Sequence, residues 1–350
     1  MSNQLISATN KAPSPAPLMQ LITGFWAAKT LASAVELDLF DKAEKSGGLS
    51  REDASRVLQI QDRPADLLLA ACASLGLLQK EGEIYVNTPL SREFLIPGQP
   101  YYFGGFVRML DHREYPAWQD VSRALRENRP TTWDPAVQPG LFHGEDPVLL
   151  SLFWEAMHSL SMSTGRELAS ILPDFALRTR LLDVGGGSGA ISIELCRAFP
   201  ELRATVYDLP FVRETATDKA HEAGLSERID FVSGNFLEDK ALPAGYDTIM
   251  VSSIMHDWDE KTDREILAKC FEALPPGGLI IISEILLNDE RTGPPEAALM
   301  GMNMLVETAG GKNYSGSEYR LWLTETGFTD VEMISCQAVG TNGVIIAYKP

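Results

Sequence analysis

The run Leu181-Leu182-Asp183-Val184-Gly185-Gly186-Gly187-Ser188-Gly189 constrains the fold of this chain more than any other stretch. An apolar strand runs into glycines and then into the helical pattern Ala190-Ile191-Ser192-Ile193-Glu194-Leu195. Glycines there let the backbone turn tightly and approach a ligand that a Cβ would repel. A second strand, Ala204-Thr205-Val206-Tyr207, ends in Asp208. An acidic residue at the tip of the second strand of a βαβ unit suits hydrogen bonding to ribose hydroxyls. A nucleoside-containing cofactor is the first expectation. Counting from Gly185 gives Gly185, Gly187 and Ala190 at the first, third and sixth places, so a dinucleotide stays open beside other nucleosides, as does a plain strand-to-helix turn.

Strands and helices alternate from that point. Apolar runs at 180–184, 204–207, 229–232, 248–252 and 279–284 read as strands separated by helical patterns. Such alternation predicts an α/β fold with a mostly parallel, Rossmann-like sheet covered on both faces. Segments 331–335 and 344–348 read as a terminal antiparallel hairpin. Upstream, residues 18–43 carry Leu21, Ile22, Phe25, Trp26, Leu31, Val35 and Leu39 at helical spacing. Ser50 caps a second helix with Glu52 and Asp53 in its first turn, and Asp62-Arg63-Pro64 opens a third. Short strands at 77–80 and 83–86, joined by Glu81-Gly82, complete a winged-helix arrangement.

A winged helix suggests DNA, but this one has no basic recognition face. The whole chain carries a formal net charge of −18 with a pI near 4.7. A nucleic-acid backbone and anionic membranes are therefore repelled. The Pro-rich start lacks the apolar core of a signal peptide, and no apolar run reaches a membrane span, so a cytoplasmic protein is expected. Cys72, Cys196, Cys270 and Cys336 are scattered through apolar patterns, as reduced buried thiols would be.

The strand Tyr246-Asp247-Thr248-Ile249-Met250-Val251 runs into Ser252-Ser253-Ile254-Met255-His256-Asp257-Trp258-Asp259. His-Asp-Trp after the fourth strand, Asp208-Leu209-Pro210 after the second, and the Asp183–Gly189 motif together resemble class I S-adenosylmethionine-dependent O-methyltransferases. The likeness is to the caffeate/acetylserotonin O-methyltransferase-like family and its bacterial natural-product members. It covers the chain from about Leu18 to the C-terminus, and the stretch from Gly293 to Phe328 is most similar to the acetylserotonin-like branch. The Pro-rich composition of 1–17 reads as a disordered lead-in, and the resemblance implies a winged-helix dimerisation domain over 18–100, a helical linker and acceptor-pocket segment over 101–172, and a methyltransferase domain over 173–350. It also implies a homodimer acting on a small aromatic acceptor.

Site residues follow position by position. His256 stands where the family places its general base, and Glu284 where a carboxylate orients that base. Histidine titrates near the pH at which a phenol must lose its proton, which makes it the natural acceptor. Asp183, Gly185, Gly187 and Asp208 fall at cofactor positions, as do Phe142, Ser161, Gly234, Asn235, Phe236 and Ser252. Phe153, Met157, Asn303 and Met304 match acceptor-pocket positions. Asn313 stands where plant members carry a second glutamate; alternatively it is only a turn residue before a capping box of Ser315 and Glu318. That departure leaves C- or N-methylation on the same scaffold open. His256 and Asp257 could hold a metal only with a third ligand, and none is placed to supply it, so no metal is expected. A nicotinamide-dependent oxidoreductase and an inactive winged-helix regulator are the readings from other classes.

Overall fold

The computed structural model describes residues 13–138, 147–172 and 175–350. The chain divides into two compact units, Met1–Ile96 and Pro97–Pro350.

In the first unit the apolar periodicity of 18–43 is cut into three helices, α1 (Ala16–Ile22), α2 (Gly24–Glu36) and α3 (Leu39–Ser46). The second break falls at Asp38, which takes a left-handed φ of 55° that no helix interior accommodates. α1 starts inside the segment read as a lead-in, so Ala16 and Pro17 belong to structure; residues 1–12 lie outside those described. α4 (Arg51–Leu58) opens on a capping box in which Ser50 Oγ accepts from the Asp53 N–H at 3.1 Å. α5 (Asp62–Ser74), the antiparallel pair β1 (Leu78–Glu81) and β2 (Ile84–Asn87), and α6 (Pro89–Phe94) complete the winged helix. Asn87 Nδ2 donates to the Phe40 carbonyl at 2.8 Å and ties the wing to α3. Leu18, Leu21, Ile22 and Trp26 stay exposed on α1 and α2, Leu21 at 77%.

The second unit begins with α7 (Gly104–Met109), a π-helical turn at Leu110–Glu114, α8 (Tyr115–Trp118), α9 (Val121–Glu127) and the long α10 (Pro147–Ile171). The alternating part follows: β3 (Arg180–Val184), α11 (Ala190–Ala198), β4 (Arg203–Asp208), α12 (Arg213–Glu222), β5 (Ile229–Ser233), β6 (Thr248–Ser252), α13 (Glu260–Ala273) and β7 (Leu279–Glu284). It closes with α14 (Pro295–Glu307), α15 (Gly316–Thr326), β8 (Thr329–Ala338) and β9 (Thr341–Tyr348).

The seven strands lie in the order β5-β4-β3-β6-β7-β9-β8. β3 to β7 pair in parallel, and β9 runs antiparallel to both of its neighbours. Alternate residues of each central strand go to opposite faces. Leu181, Met250 and Ile281 join one apolar cluster with α10 and α11, while Leu182, Ile249 and Ile280 join another with α13 and α15. Burial on both faces explains why these strands read as unbroken apolar runs. The chain lays β4 and β5 to one side of β3 and then returns to place β6 on the other. This reversal opens a crevice at the carboxyl ends of β3 and β6, where open α/β sheets bind ligands. All four cysteines are buried and unpaired.

Candidate active site

At the end of β3 the glycine turn needs its glycines. Gly185, Gly187 and Gly189 have φ of +67°, +55° and +72°. A Cβ on Gly185 would lie 2.5 Å from Ile254 Cδ1, and one on Gly187 would lie 3.1 Å from the Trp154 ring. Asp183 sits beneath the turn rather than facing outward. It is 2% exposed, accepts from Ser192 Oγ at 2.6 Å, and lies where any Cβ on Gly186 would collide with it. Burial pushes its carboxyl up to about 6.

Asp208 closes the turn from the tip of β4. The Gly187 N–H donates to its Oδ2 at 2.8 Å and the Leu209 N–H to its Oδ1 at 2.6 Å. A carboxylate offers about four lone-pair sites, so two remain after those bonds, enough for a pair of vicinal hydroxyls. Next to it, the Gly234 N–H donates to the Asp208 carbonyl at 2.9 Å, and a Cβ on Gly234 would run into the Tyr207 ring. Phe236 reaches the glycine turn and meets Trp258 edge to face at 6.2 Å. The Asn235 amide oxygen accepts from the Leu237 N–H at 3.0 Å, which orders this loop and leaves a second acceptor lone pair. Ser252 Oγ, at the end of β6, is buried without a hydrogen-bond partner among the described residues. Ser161 is half-buried on α10, and Phe142 lies outside the described residues. A Cβ-free cradle, a carboxylate with spare acceptors and an unpartnered buried hydroxyl fit a nucleoside-bearing cofactor.

Beyond β6 the backbone passes Ser253, whose φ of 54° is uncommon for a residue with a side chain, into the His256 turn. Glu284, at the end of the wholly buried β7, faces this turn. Its Oε1 accepts from the N–H groups of Ile254 and Met255 at 3.0 and 2.9 Å, and its Oε2 lies 2.5 Å from His256 Nδ1. In the neutral imidazole, a carboxylate that only accepts requires the proton on Nδ1 and leaves the lone pair on Nε2. Nε2 is 3.7 Å from Asp257 Oδ1, too far for a hydrogen bond. Burial pushes the imidazole down, but neighbouring carboxyls, Glu284 first among them, outweigh it and lift His256 to about 9. Asp263, fully buried with neither oxygen partnered among the described residues, is itself pushed up by burial to about 9. Glu284 and Asp257 contribute most of the lift on His256, with Asp263 adding a smaller share.

Two of the acceptor-side candidates, Phe153 and Asn303, border a cluster that spacing did not reveal. Arg113, from the π-helical turn, pairs with Glu307 at the end of α14 at 2.6 Å, both side chains nearly buried. The Arg113 guanidinium lies 6.0 Å from the Phe153 ring centre, and Trp118 Nε1 donates to Asn303 Oδ1 at 2.7 Å. Glu114 is pushed up to about 7, by burial first and then by Glu307. Met157 is half-buried on α10, and Met304 on α14 is 4% exposed. Asn313 is no surface turn residue: it is 1% exposed, and its Nδ2 donates to the Ile285 carbonyl at 2.6 Å. The capping box that follows it is present, with Ser315 and Glu318 bonded reciprocally. Gly311 lets this segment close on the His256 turn, since a Cβ there would lie 2.4 Å from the His256 carbonyl oxygen.

Comparison with known proteins gives concordant findings. A family model of the O-methyltransferase domain matches residues 118–329, and one of the O-methyltransferase dimerisation domain matches residues 19–97. The chain is 42% identical over 336 residues to the 3-hydroxy-5-methyl-1-naphthoate 3-O-methyltransferase of Streptomyces sahachiroi, covering 96% of this chain and 95% of that one. It is 32% identical to the tetracenomycin polyketide synthesis 8-O-methyl transferase of Streptomyces glaucescens, covering 96% and 97%. Among solved structures, human N-acetylserotonin methyltransferase in complex with S-adenosylmethionine superposes with a TM-score of 0.85 at 27% identity, covering 98% of this chain and 99% of that one.

Proposed function

The chain belongs to the S-adenosylmethionine-dependent O-methyltransferase family, and from that premise we propose that it methylates a phenolic hydroxyl of a small aromatic acceptor with His256 as general base. The observation that carries this reading is the His256 Nδ1 to Glu284 Oε2 contact of 2.5 Å at the ends of two adjacent strands. The bound cofactor supplies a methyl group on a sulfonium, ready for in-line displacement. His256 Nε2 takes the hydroxyl proton as the oxygen becomes nucleophilic, and Glu284 stabilises the imidazolium that results. Glu284 also fixes where the imidazole points, because its other oxygen holds the backbone of the same turn. Asp208 and the 185–187 turn hold the cofactor, with Gly234, Phe236, Ser252 and Ser161 alongside. Phe153, Met157 and Asn303 line the acceptor.

A relative named for methylating a naphthoate hydroxyl supports a hydroxyarene acceptor. The exposed Leu18, Leu21, Ile22 and Trp26 support homodimerisation through the first unit, since large apolar side chains left exposed on two successive helices suit an interaction surface. A net charge of −18 supports a small-molecule partner over nucleic acid. Among the described residues no helix is long and apolar enough to cross a membrane, and the free cysteines fit a cytoplasmic setting.

Incubating the purified protein with S-adenosylmethionine and a panel of hydroxynaphthoic acids, followed by fragmentation of the products, tests the reading. A methyl group on oxygen is expected. A ring-carbon or nitrogen methyl would contradict it.

A further inference from the structure

α10 turns two side chains, one helical turn apart, onto the cofactor turn. Trp154 packs where a Cβ on Gly187 would stand, and its ring lies 6.3 Å from that of Phe211. His158 Nδ1 lies 2.8 Å from Ser188 Oγ. Ser188 is 3% exposed, and His158 is the acceptor within reach of its hydroxyl among the described residues. A buried hydroxyl proton left undonated is costly, so Ser188 donates to Nδ1. The imidazole is then the tautomer with its proton on Nε2. Burial, seconded by Lys219, pushes His158 down to about 4, so the ring is a neutral donor at ordinary pH. The charged groups that reach it are Lys219, Glu222 and Arg197. Lys219 is paired with Glu222 and Arg197 with Glu194, so the case for an anionic neighbour rests on the neutral Nε2–H donor.

The cofactor has a nucleoside end and an amino-acid end. Asp208 and the 234–236 loop, on the β4 and β5 side of the turn, suit the nucleoside. The α10 side is left for the amino-acid end, whose one anionic group is its carboxylate. We propose that His158 is a cofactor-binding residue whose Nε2–H donates to that carboxylate, with Ser188 setting the tautomer and Trp154 holding the turn against the same helix. The proposal rests on the cofactor assignment, and its test separates the two.

Isothermal titration of the full-length protein with S-adenosylhomocysteine and with 5′-methylthioadenosine, which keeps the nucleoside and lacks the carboxylate, reads the contact directly. His158→Ala should weaken S-adenosylhomocysteine roughly 10- to 100-fold, the range for a hydrogen bond to a charged group, and leave 5′-methylthioadenosine within about twofold. His158→Gln, which retains an N–H donor, should recover most of that loss. Ser188→Ala should produce a smaller loss confined to the carboxylate-bearing ligand. Unchanged affinity in His158→Ala, or an equal loss for both ligands, overturns the proposal, the latter by making His158 merely structural. A wild-type protein that binds neither ligand overturns the cofactor assignment, and the proposal with it.

Discussion

Two buried carboxylates, Asp208 at the cofactor end and Glu284 at the acceptor end, do the same mechanical work and different chemistry. Each pins a turn by accepting two backbone N–H groups: Gly187 and Leu209 for Asp208, Ile254 and Met255 for Glu284. Asp208 spends one oxygen on each, which leaves a lone pair on both oxygens for neutral hydroxyls. Glu284 places both N–H groups on Oε1 and keeps Oε2 for His256. On the proposed function, the distribution of the same two bonds separates a ribose clamp from the partner of a base. Around Asp208 the site is built largely from backbone at the ends of the neighbouring strands β3, β4 and β5. Around Glu284 it is assembled from the π-helical turn, α10, the His256 turn and α14, which are far apart in the chain.

That separation predicts that chemistry and cofactor affinity fail independently. The largest effect belongs to His256→Ala, which should lower turnover roughly 10²- to 10⁴-fold while calorimetric affinity for S-adenosylhomocysteine stays unchanged. Loss of both together would break the comparison. Glu284→Gln comes next, with a turnover loss of the same order, up to about 10⁴-fold, as when the carboxylate that orients a reacting histidine is replaced by its amide. It also carries a pH signature. His256 accepts a proton only when neutral, and it is lifted to about 9, so wild-type turnover should rise with pH through that value. Removing the Glu284 charge should move this limb to lower pH; a limb that stays in place would show that Glu284 does not tune the base.

At the other end, Asp208→Ala should weaken S-adenosylhomocysteine by roughly 1.5–3 kcal/mol for lost charge-assisted hydrogen bonds, with turnover at saturating cofactor affected far less. The smallest effect is expected for Gly187→Ala. A left-handed residue with a Cβ costs roughly 1–2 kcal/mol, and at φ +55° beneath Trp154 this should appear as a several-fold weaker cofactor, read by the same titration.

The contrast also explains what the sequence could reveal. β3, β6 and β7 are readable because both faces are buried, so their interiors are apolar runs and the polar residues gather toward the ends, Arg180 and Asp183, Thr248 and Ser252, Ser283 and Glu284. The capping boxes at Ser50 and Ser315 are readable because their partners lie three residues away. The division of 18–43 into three helices is not, because the apolar spacing continues across Thr23 and Asp38. Asn313 reads as a turn residue, yet its amide is fixed by a carbonyl at Ile285 on another segment. The Arg113–Glu307 pair is hidden for the same reason: a charged residue looks like surface until a distant partner is known to bury it. Trp154 and His158 share a helical face, but only the fold shows that this face meets the glycine turn.

The central claim, that His256 removes the acceptor's proton, is tested most directly by comparing wild type and His256→Ala on phenolic acceptors of decreasing pKa at one fixed pH. An acceptor ionising near 10 arrives protonated and needs the base, whereas one ionised at the assay pH does not. The account predicts a deficit of roughly 10²- to 10⁴-fold for the first, shrinking toward parity for the second. A deficit that stays constant across the series would contradict it.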